Sequence, residues 1–233
     1  MLKKLFDKIL EILYPNVCCF CGTVGSTSIC CKCKKKVIYI KEPRCKKCGR
    51  PVRYAEQEIC YECQKKEFFY EQGKSIWLHK DPVNSSIYQF KYHNKRVYGK
   101  FYAEELFHLF WRDIKMWEIE VIIPIPLHKK RKKVRGFNQA EIIAKELGRL
   151  LNLPVDTRIL KRIRYTDPQK KLDGRERKQN LQNAFKADFY SEKYKKVLLI
   201  DDIYTTGSTI NEAAKVLKKE GVIITLFFPT DMR

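Results

Sequence analysis

The stretch VLLIDDIYTTGST, residues 197–209, decides how this chain is read. Val197 to Ile200 form a continuous apolar run, the pattern of a strand buried on both faces of a parallel sheet. Asp201 and Asp202 follow side by side, and Thr205, Thr206, Gly207, Ser208 and Thr209 come shortly after. A buried strand explains only the first four residues. In an open parallel sheet, ligands sit at the carboxyl ends of the strands. A Gly-containing turn that runs into a helix offers an anion successive backbone N–H groups and the positive end of the helix dipole. The Thr and Ser hydroxyls add donors, and the adjacent carboxylates can accept from vicinal hydroxyls. A terminal phosphate together with a diol describes a phosphorylated sugar. A Walker loop is excluded, because no G-x-x-x-x-G-K-[ST] occurs. A response-regulator strand would place its acidic pair at the start of a domain and leave TTGST without purpose. A plain strand-to-helix turn explains neither the carboxylates nor the hydroxyls.

Outward from this stretch, strands alternate with helices from about residue 72. KSIWLH (74–79), VIIPIP (121–126), KVLLIDDI (196–203) and VIITLFF (222–228) read as strands. NSSIYQFKY (84–92) reads as a short helix capped by Asn84 or Ser85. VYGKFYAEELFHLFWRDI (97–114) reads as an amphipathic helix. NQAEIIAKELGRLLNL (138–153) reads as a helix opened by Asn138, with Glu141 completing a capping box. STINEAAKVLKKEG (208–221) reads as a helix ended by Gly221. The basic run HKKRKKVRG (128–136) precedes the third helix, and residues 161–181 read as a polar, basic, mobile loop. The alternation predicts an α/β fold with a doubly wound parallel sheet.

All ten cysteines lie before residue 64, as CCFC (18–21), CCKC (30–33), CKKC (45–48) and CYEC (60–63). A C-x-x-C turn presents two thiolates to one tetrahedral ion, and two such turns complete a four-thiolate zinc site. Four pairs separated by 8, 11 and 11 residues predict two structural Zn²⁺ sites in a double zinc ribbon over residues 16–70. Disulfides fit poorly with a chain that shows no export signal. The ligands are Cys18, Cys21, Cys30, Cys33, Cys45, Cys48, Cys60 and Cys63. Sequential and interleaved pairing both remain open. Cys19 and Cys31 are left over. Gly49, directly after Cys48, suits the tight turn of a zinc knuckle.

Residues 1–15 carry Leu2, Leu5, Phe6, Ile9, Leu10, Ile12 and Leu13 on one helical face, with Pro15 ending the helix. Asp7, Lys8 and Glu11 break the apolar run of a signal peptide, and no run of 18 apolar residues predicts a membrane span. The expectation is a helix docked on its own protein and a cytoplasmic location. The net charge of +21, from 48 basic and 27 acidic residues, favours polyanionic partners or solvated lysine faces.

VLLIDDIYTTGST resembles the phosphoribosyl-pyrophosphate (PRPP) signature of type I phosphoribosyltransferases. VIIPIPLHKKRKKVRGFNQ (121–139) and TDPQKKLDGRERKQNLQNAF (166–185) resemble the ComF family of competence-associated, phosphoribosyltransferase-like proteins. The four cysteine pairs complete that family's pattern. The resemblance implies a type I phosphoribosyltransferase-like parallel sheet flanked by helices over residues 72–233, behind the zinc ribbons. It implies that Asp201 and Asp202 hold the ribose hydroxyls, directly or through Mg²⁺, and that Thr205 to Thr209 cradle the 5′-phosphate. It implies that Leu127, His128 and Lys129 face the pyrophosphate and that Gln169 and Arg175 lie on a catalytic loop. Lys129, Lys130, Arg131, Arg164, Lys170, Lys171, Arg175 and Arg177 are the candidates for stabilising the leaving group. Thr205 stands where hypoxanthine-type relatives carry an Asp base, which argues against a 6-oxopurine acceptor. Lys91, Tyr92 and Phe137 are candidates for the acceptor pocket. Two functions are implied: a Mg²⁺-dependent phosphoribosyltransferase linked to competence and DNA uptake, or a PRPP-sensing module that binds single-stranded DNA and works with other competence proteins.

Overall fold

A computed structural model describes residues 16–165, 182–188, 193–218 and 223–231. The N-terminal helix read over residues 1–15 lies outside them. The strands are β1 (Gln72–Leu78), β2 (Val121–Pro124), β3 (Leu160–Arg162), β4 (Phe185–Ala187), β5 (Lys196–Ile200) and β6 (Ile223–Asp231). The helices are α1 (Cys31–Lys36), α2 (Tyr61–Gln64), α3 (Val83–Tyr92), α4 (Val97–Met116), α5 (Lys129–Arg135), α6 (Gln139–Leu151) and α7 (Ser208–Lys218).

Four strands form one parallel sheet in the order β1-β6-β5-β2. Side chains alternate across a strand, and the core divides accordingly. Ile122, Leu198 and Ile200 face one side with residues of α3, α4 and α6. Val121, Ile123, Val197 and Leu199 face the other with α7, β3 and β4. The helices bury the expected stripes: Ala140, Ile143, Ala144 and Leu147 on α6, and Ile210, Ala213, Ala214 and Leu217 on α7.

Both sheet edges are covered, which removes open pairing sites. Along β2, Ile122 N–H donates to the Pro154 carbonyl and Asp156 N–H to the Ile122 carbonyl. Along β1, Ile40 N–H donates to Ile76 and Leu78 N–H to Ile38. That second strip joins the two cysteine clusters, so they straddle the β1 edge. Cys18 and Cys33 pack into one face's core, and Cys45, Cys48, Cys60 and Cys63 into the other's.

Several local expectations need correction. The β5 ladder stops at Ile200 rather than residue 203, because Asp201 turns out of it. Neither Asn84 nor Ser85 caps α3: the helix starts at Val83, and the Ser85 hydroxyl donates to the Asp81 carboxylate at 2.9 Å. Asn138 occupies the N-cap position of α6, but no capping box forms. Its buried amide donates to the Ile125 carbonyl at 3.0 Å, and Glu141 pairs with Lys132 and Lys145. The Ile125 carbonyl lies in the buried turn after β2, where an unpaired acceptor is costly, and the Asn138 amide satisfies it. The HKKRKKVRG run forms α5, closed by Gly136 at φ +78°. The region read as a loop from residue 161 begins inside β3, which pairs antiparallel with β4.

Candidate active site and metal centres

The cysteines resolve into two sets, Cys18/Cys21/Cys30/Cys33 and Cys45/Cys48/Cys60/Cys63, each with its sulfurs within 4.8 Å of one another. Pairing is therefore sequential. The Cys21–Cys30 and Cys48–Cys60 sulfurs are 3.7 and 3.8 Å apart. A tetrahedron with Zn–S bonds of about 2.3 Å has edges of about 3.8 Å, so both sets fit zinc. Backbone N–H groups point at the sulfurs as well: Cys30 N to Cys18 Sγ at 3.4 Å and Cys60 N to Cys45 Sγ at 3.3 Å. Such bonds stabilise thiolates and orient ligands. Hydrogen bonds from Cys48 and Cys63 hold the Cys45 thiol far below its ordinary range, while the same shared bonds push Cys48 and Cys63 up. A divalent cation removes that competition by ionising all four. Cys19 and Cys31 belong to neither set. Burial pushes Cys19 up to about 12, which suits an unligated thiol. Gly49 takes φ +72°, and a Cβ there would come within 2.6 Å of Ser75 N, so a side chain would part the Cys45–Cys48 knuckle from β1.

At the other end of the sheet, Asp201 and Asp202 leave β5 side by side. The Asp202 N–H donates to Asp201 Oδ1 at 2.8 Å. Thr205 to Thr209 then lead into α7. Gly207 takes φ +78°, and a Cβ there would lie 2.1 Å from Tyr204 Oη. Only glycine satisfies both the left-handed backbone and that contact. Thr206 and Ser208 share a hydroxyl hydrogen bond of 2.8 Å. The loop therefore presents backbone and hydroxyl donors at the start of an 11-residue helix.

Asp201, Asp202, Thr205, Thr206 and Thr209 line a cavity of about 910 Å³. Its second wall is cationic, built from Lys130, Arg131, Arg135 and Arg162. Its roof is α3, which contributes Asn84, Tyr88, Lys91 and Tyr92. Lys91 Nζ reaches Asp202 Oδ1 at 3.0 Å. Burial, then the neighbouring Asp202 charge, push the Asp201 carboxyl up to about 7, against the pull of the Asp202 N–H, Lys91 and Arg162. Burial and the nearby Arg131 lower the Arg162 guanidinium to about 10. Two crowded carboxylates facing partly desolvated guanidinium groups make a site suited to a ligand with both anionic and hydroxyl groups. The carboxylates also fit Mg²⁺, which takes one or two carboxylates and completes its shell with water and substrate oxygens.

Of the residues expected at the pyrophosphate turn, Leu127 lines the cavity. The His128 ring instead accepts from Lys130 N–H and caps α5, and Lys129 is exposed on that helix. Lys130 and Arg131 take the wall positions. Arg164 is exposed, donates to the Gln182 carbonyl at 3.3 Å and does not line the cavity. Phe137 is buried against Phe90, with Arg96 stacked on its ring at 4.9 Å, so it belongs to the core and not the acceptor pocket. Gln169, Lys170, Lys171, Arg175 and Arg177 lie outside the described residues.

Residues 9–64 match the double zinc ribbon domain family, and residues 133–228 match the phosphoribosyl transferase domain family. Competence protein F of Haemophilus influenzae is 37% identical over 164 residues, covering 68% of this chain and 71% of that protein. The chain belongs to the ComF family. Competence protein ComFC of Bacillus subtilis is 26% identical over 162 residues, 64% of this chain and 59% of its own length. The DNA utilization protein YhgH of Escherichia coli is 37% identical over 100 residues, 43% of this chain and 44% of its own. The ComF-type fold of double zinc ribbon and phosphoribosyltransferase-like sheet is thus established. Among the described residues, no helix is long and apolar enough to cross a membrane.

Arg162, Arg135, Tyr88 and Tyr165 line the ComF site without having been singled out from the sequence. Arg162 sits in a three-residue strand, too short for alternation to show. Tyr88 and Tyr92 are four residues apart, one helical turn, which is a usable signal for a shared face.

Proposed function

We propose that this protein is a Mg²⁺-dependent phosphoribosyltransferase that takes PRPP and an acceptor other than a 6-oxopurine, in the service of DNA uptake. One observation carries this reading: paired carboxylates and a left-handed Gly207 loop leave the same strand end and open on one large cavity. Asp201 and Asp202 accept hydrogen bonds from the ribose hydroxyls. Thr205 to Thr209 donate to the 5′-phosphate. Leu127, Lys130 and Arg131, in the turn after Pro126 and the start of α5, face the pyrophosphate, and the family resemblance assigns Gln169 and Arg175 to catalysis. The C1–oxygen bond to pyrophosphate breaks, the acceptor attacks C1, and the acceptor's proton is lost. Mg²⁺, when bound with PRPP, supplies charge neutralisation on the departing pyrophosphate. Arg131, Arg135 and Arg162 add positive charge on the same side, where water is partly excluded and such charge counts most. The acceptor sits under α3 beside Tyr88 and Tyr92, where the Asn84 side-chain oxygen has no hydrogen-bond partner among the described residues.

The test is thermal unfolding with ligand. A ligand at 100 times its Kd stabilises a protein by about 2.7 kcal/mol, so PRPP with Mg²⁺ raises Tm by several degrees, and PRPP alone by much less. No shift at millimolar ligand contradicts the reading.

A second reading rests on the rim of the cavity. Tyr88 and Tyr92 are each 52% exposed and Tyr165 42%. Arg135 stacks over Tyr92 at 5.2 Å, and Lys130 lies 5.4 Å from the Tyr165 ring centre. Exposed rings interleaved with cations suit stacked bases and a phosphate backbone. On this reading the protein senses PRPP and holds single-stranded DNA.

A further inference from the structure

The phosphate-loop candidate does not stand alone: it rests on the second cysteine cluster. The segment from Lys66 to Tyr70 leaves directly from Cys63, the last ligand of that cluster, with Lys66 N–H donating to the Cys63 carbonyl. Three connections then reach the loop from this segment. Lys66 Nζ donates to the Thr206 carbonyl at 3.2 Å. Asn211, in the first turn of α7, accepts from Phe69 N–H and donates to the Glu67 carbonyl, both at 2.9 Å. The Tyr70 and Tyr204 hydroxyls meet at 3.0 Å, and both side chains are 1% exposed. Burial pushes the Tyr70 hydroxyl well above its ordinary pKa, so it stays a protonated partner. The Tyr204 ring in turn fills the space that a Cβ on Gly207 would need.

The other end of the segment is held from inside the cluster. Lys47, between Cys45 and Cys48, donates to the Tyr70 and Glu71 carbonyls at 2.8 and 2.7 Å. All four cysteines share one buried cluster with Tyr70, Tyr204 and Ile210. A flexible Thr/Gly/Ser loop must be held in one shape if its N–H groups are to converge on an anion, and pre-organisation of that kind sets affinity. Among the described residues, Lys66 is the side chain that donates to the Thr206 carbonyl.

We propose that Lys66, Tyr70 and Asn211 are positioning residues that lock the Thr205–Thr209 loop to the second zinc ribbon, so that the metal-ordered ribbon sets the loop's affinity for phosphate. This rests on the reading of Thr205 to Thr209 as a phosphate site, and the test separates the two.

Full-length, zinc-loaded wild-type protein is compared with Tyr70→Phe, which keeps the ring and removes one hydroxyl, and with Lys66→Met and Lys66→Arg. Zinc content, amide hydrogen exchange by mass spectrometry, and calorimetric titration with Mg²⁺–PRPP and with inorganic pyrophosphate are measured on each. The expectation for Tyr70→Phe and Lys66→Met is two zinc ions per chain, exchange over residues 204–211 at least about fivefold faster, and unchanged exchange in α6. The Kd for Mg²⁺–PRPP rises about five- to tenfold, while that for pyrophosphate stays constant, and Lys66→Arg restores the wild-type values. Wild-type exchange over 204–211 in both variants overturns the proposal. So does faster exchange throughout with loss of zinc, which assigns these residues a folding role only. If wild-type protein binds no PRPP, the phosphate reading falls, and the exchange rates still decide whether the lock exists.

Discussion

Asp201, with a folded-state pKa of about 7, keeps a proton that an unfolded carboxyl near about 4 has released. Between those two values the folded chain binds more protons, so this group's contribution to stability is full at low pH and is lost as pH rises through 7. Asp201→Asn removes the penalty. Scanning calorimetry is expected to show Tm raised by a few degrees at pH 8 and nearly unchanged at pH 4; an equal shift at both would contradict the assignment. The fold thus stores unfavourable charge at the end of β5, as binding sites commonly do. Gly207→Ala tests the neighbouring loop. Its φ of +78° and the Tyr204 ring both oppose a methyl group, so a loss of about 2–3 kcal/mol is expected in chemical denaturation, and wild-type stability would show that the loop can shift without cost. Asp201, Asp202 and the Thr/Gly/Ser loop were legible in the sequence because their chemistry departs from what a buried strand needs. Arg162 was not, since nothing in LKRIRY distinguishes a residue facing a cavity from one facing water.

The long elements were read correctly because their patterns repeat. VIIP and VLLI are buried at every position, and α6 and α7 keep their apolar stripes through three turns. What failed was capping. Asn138 fits a capping box by spacing, but the fold gives its amide to the Ile125 carbonyl, a partner that lies 13 residues away and is set by the sheet. The three-residue strands β3 and β4 stabilise each other only once Leu160 and Phe185 share the core. The cysteine clusters behave as elements in their own right, since α1 and α2 are each a single knuckle helix that starts after a ligand cysteine. Cys60→Ser is expected to lower the zinc content by emission spectrometry from two ions per chain to one. It should also lower Tm by more than about 10 °C, because the binding free energy of such a site is folding free energy. Full zinc retention would place the ion elsewhere.

At the level of the entire chain, the two cysteine clusters, the strip at 38–40 and the sheet form one continuous packing unit, wrapped around the β1 edge. That arrangement leaves the carboxyl ends of β2 and β5 open to the cavity, with a basic and aromatic rim. If the rim holds single-stranded DNA, each phosphate contact contributes about 0.7 to the slope of log affinity against log salt. The double variant Lys130→Glu, Arg131→Glu is then expected to reduce the slope by about 1–2 in fluorescence anisotropy at several salt concentrations. An unchanged slope would make those residues a solvated face. What the cavity binds is decided by a titration. Zinc-loaded protein is titrated calorimetrically with PRPP in the presence of Mg²⁺, beside an Asp201→Asn, Asp202→Asn double variant checked for folding by circular dichroism. Saturable binding by the wild type that the folded variant has lost is the predicted result. Equal binding by both proteins, or none by either, would contradict a sugar-phosphate site at the end of β5.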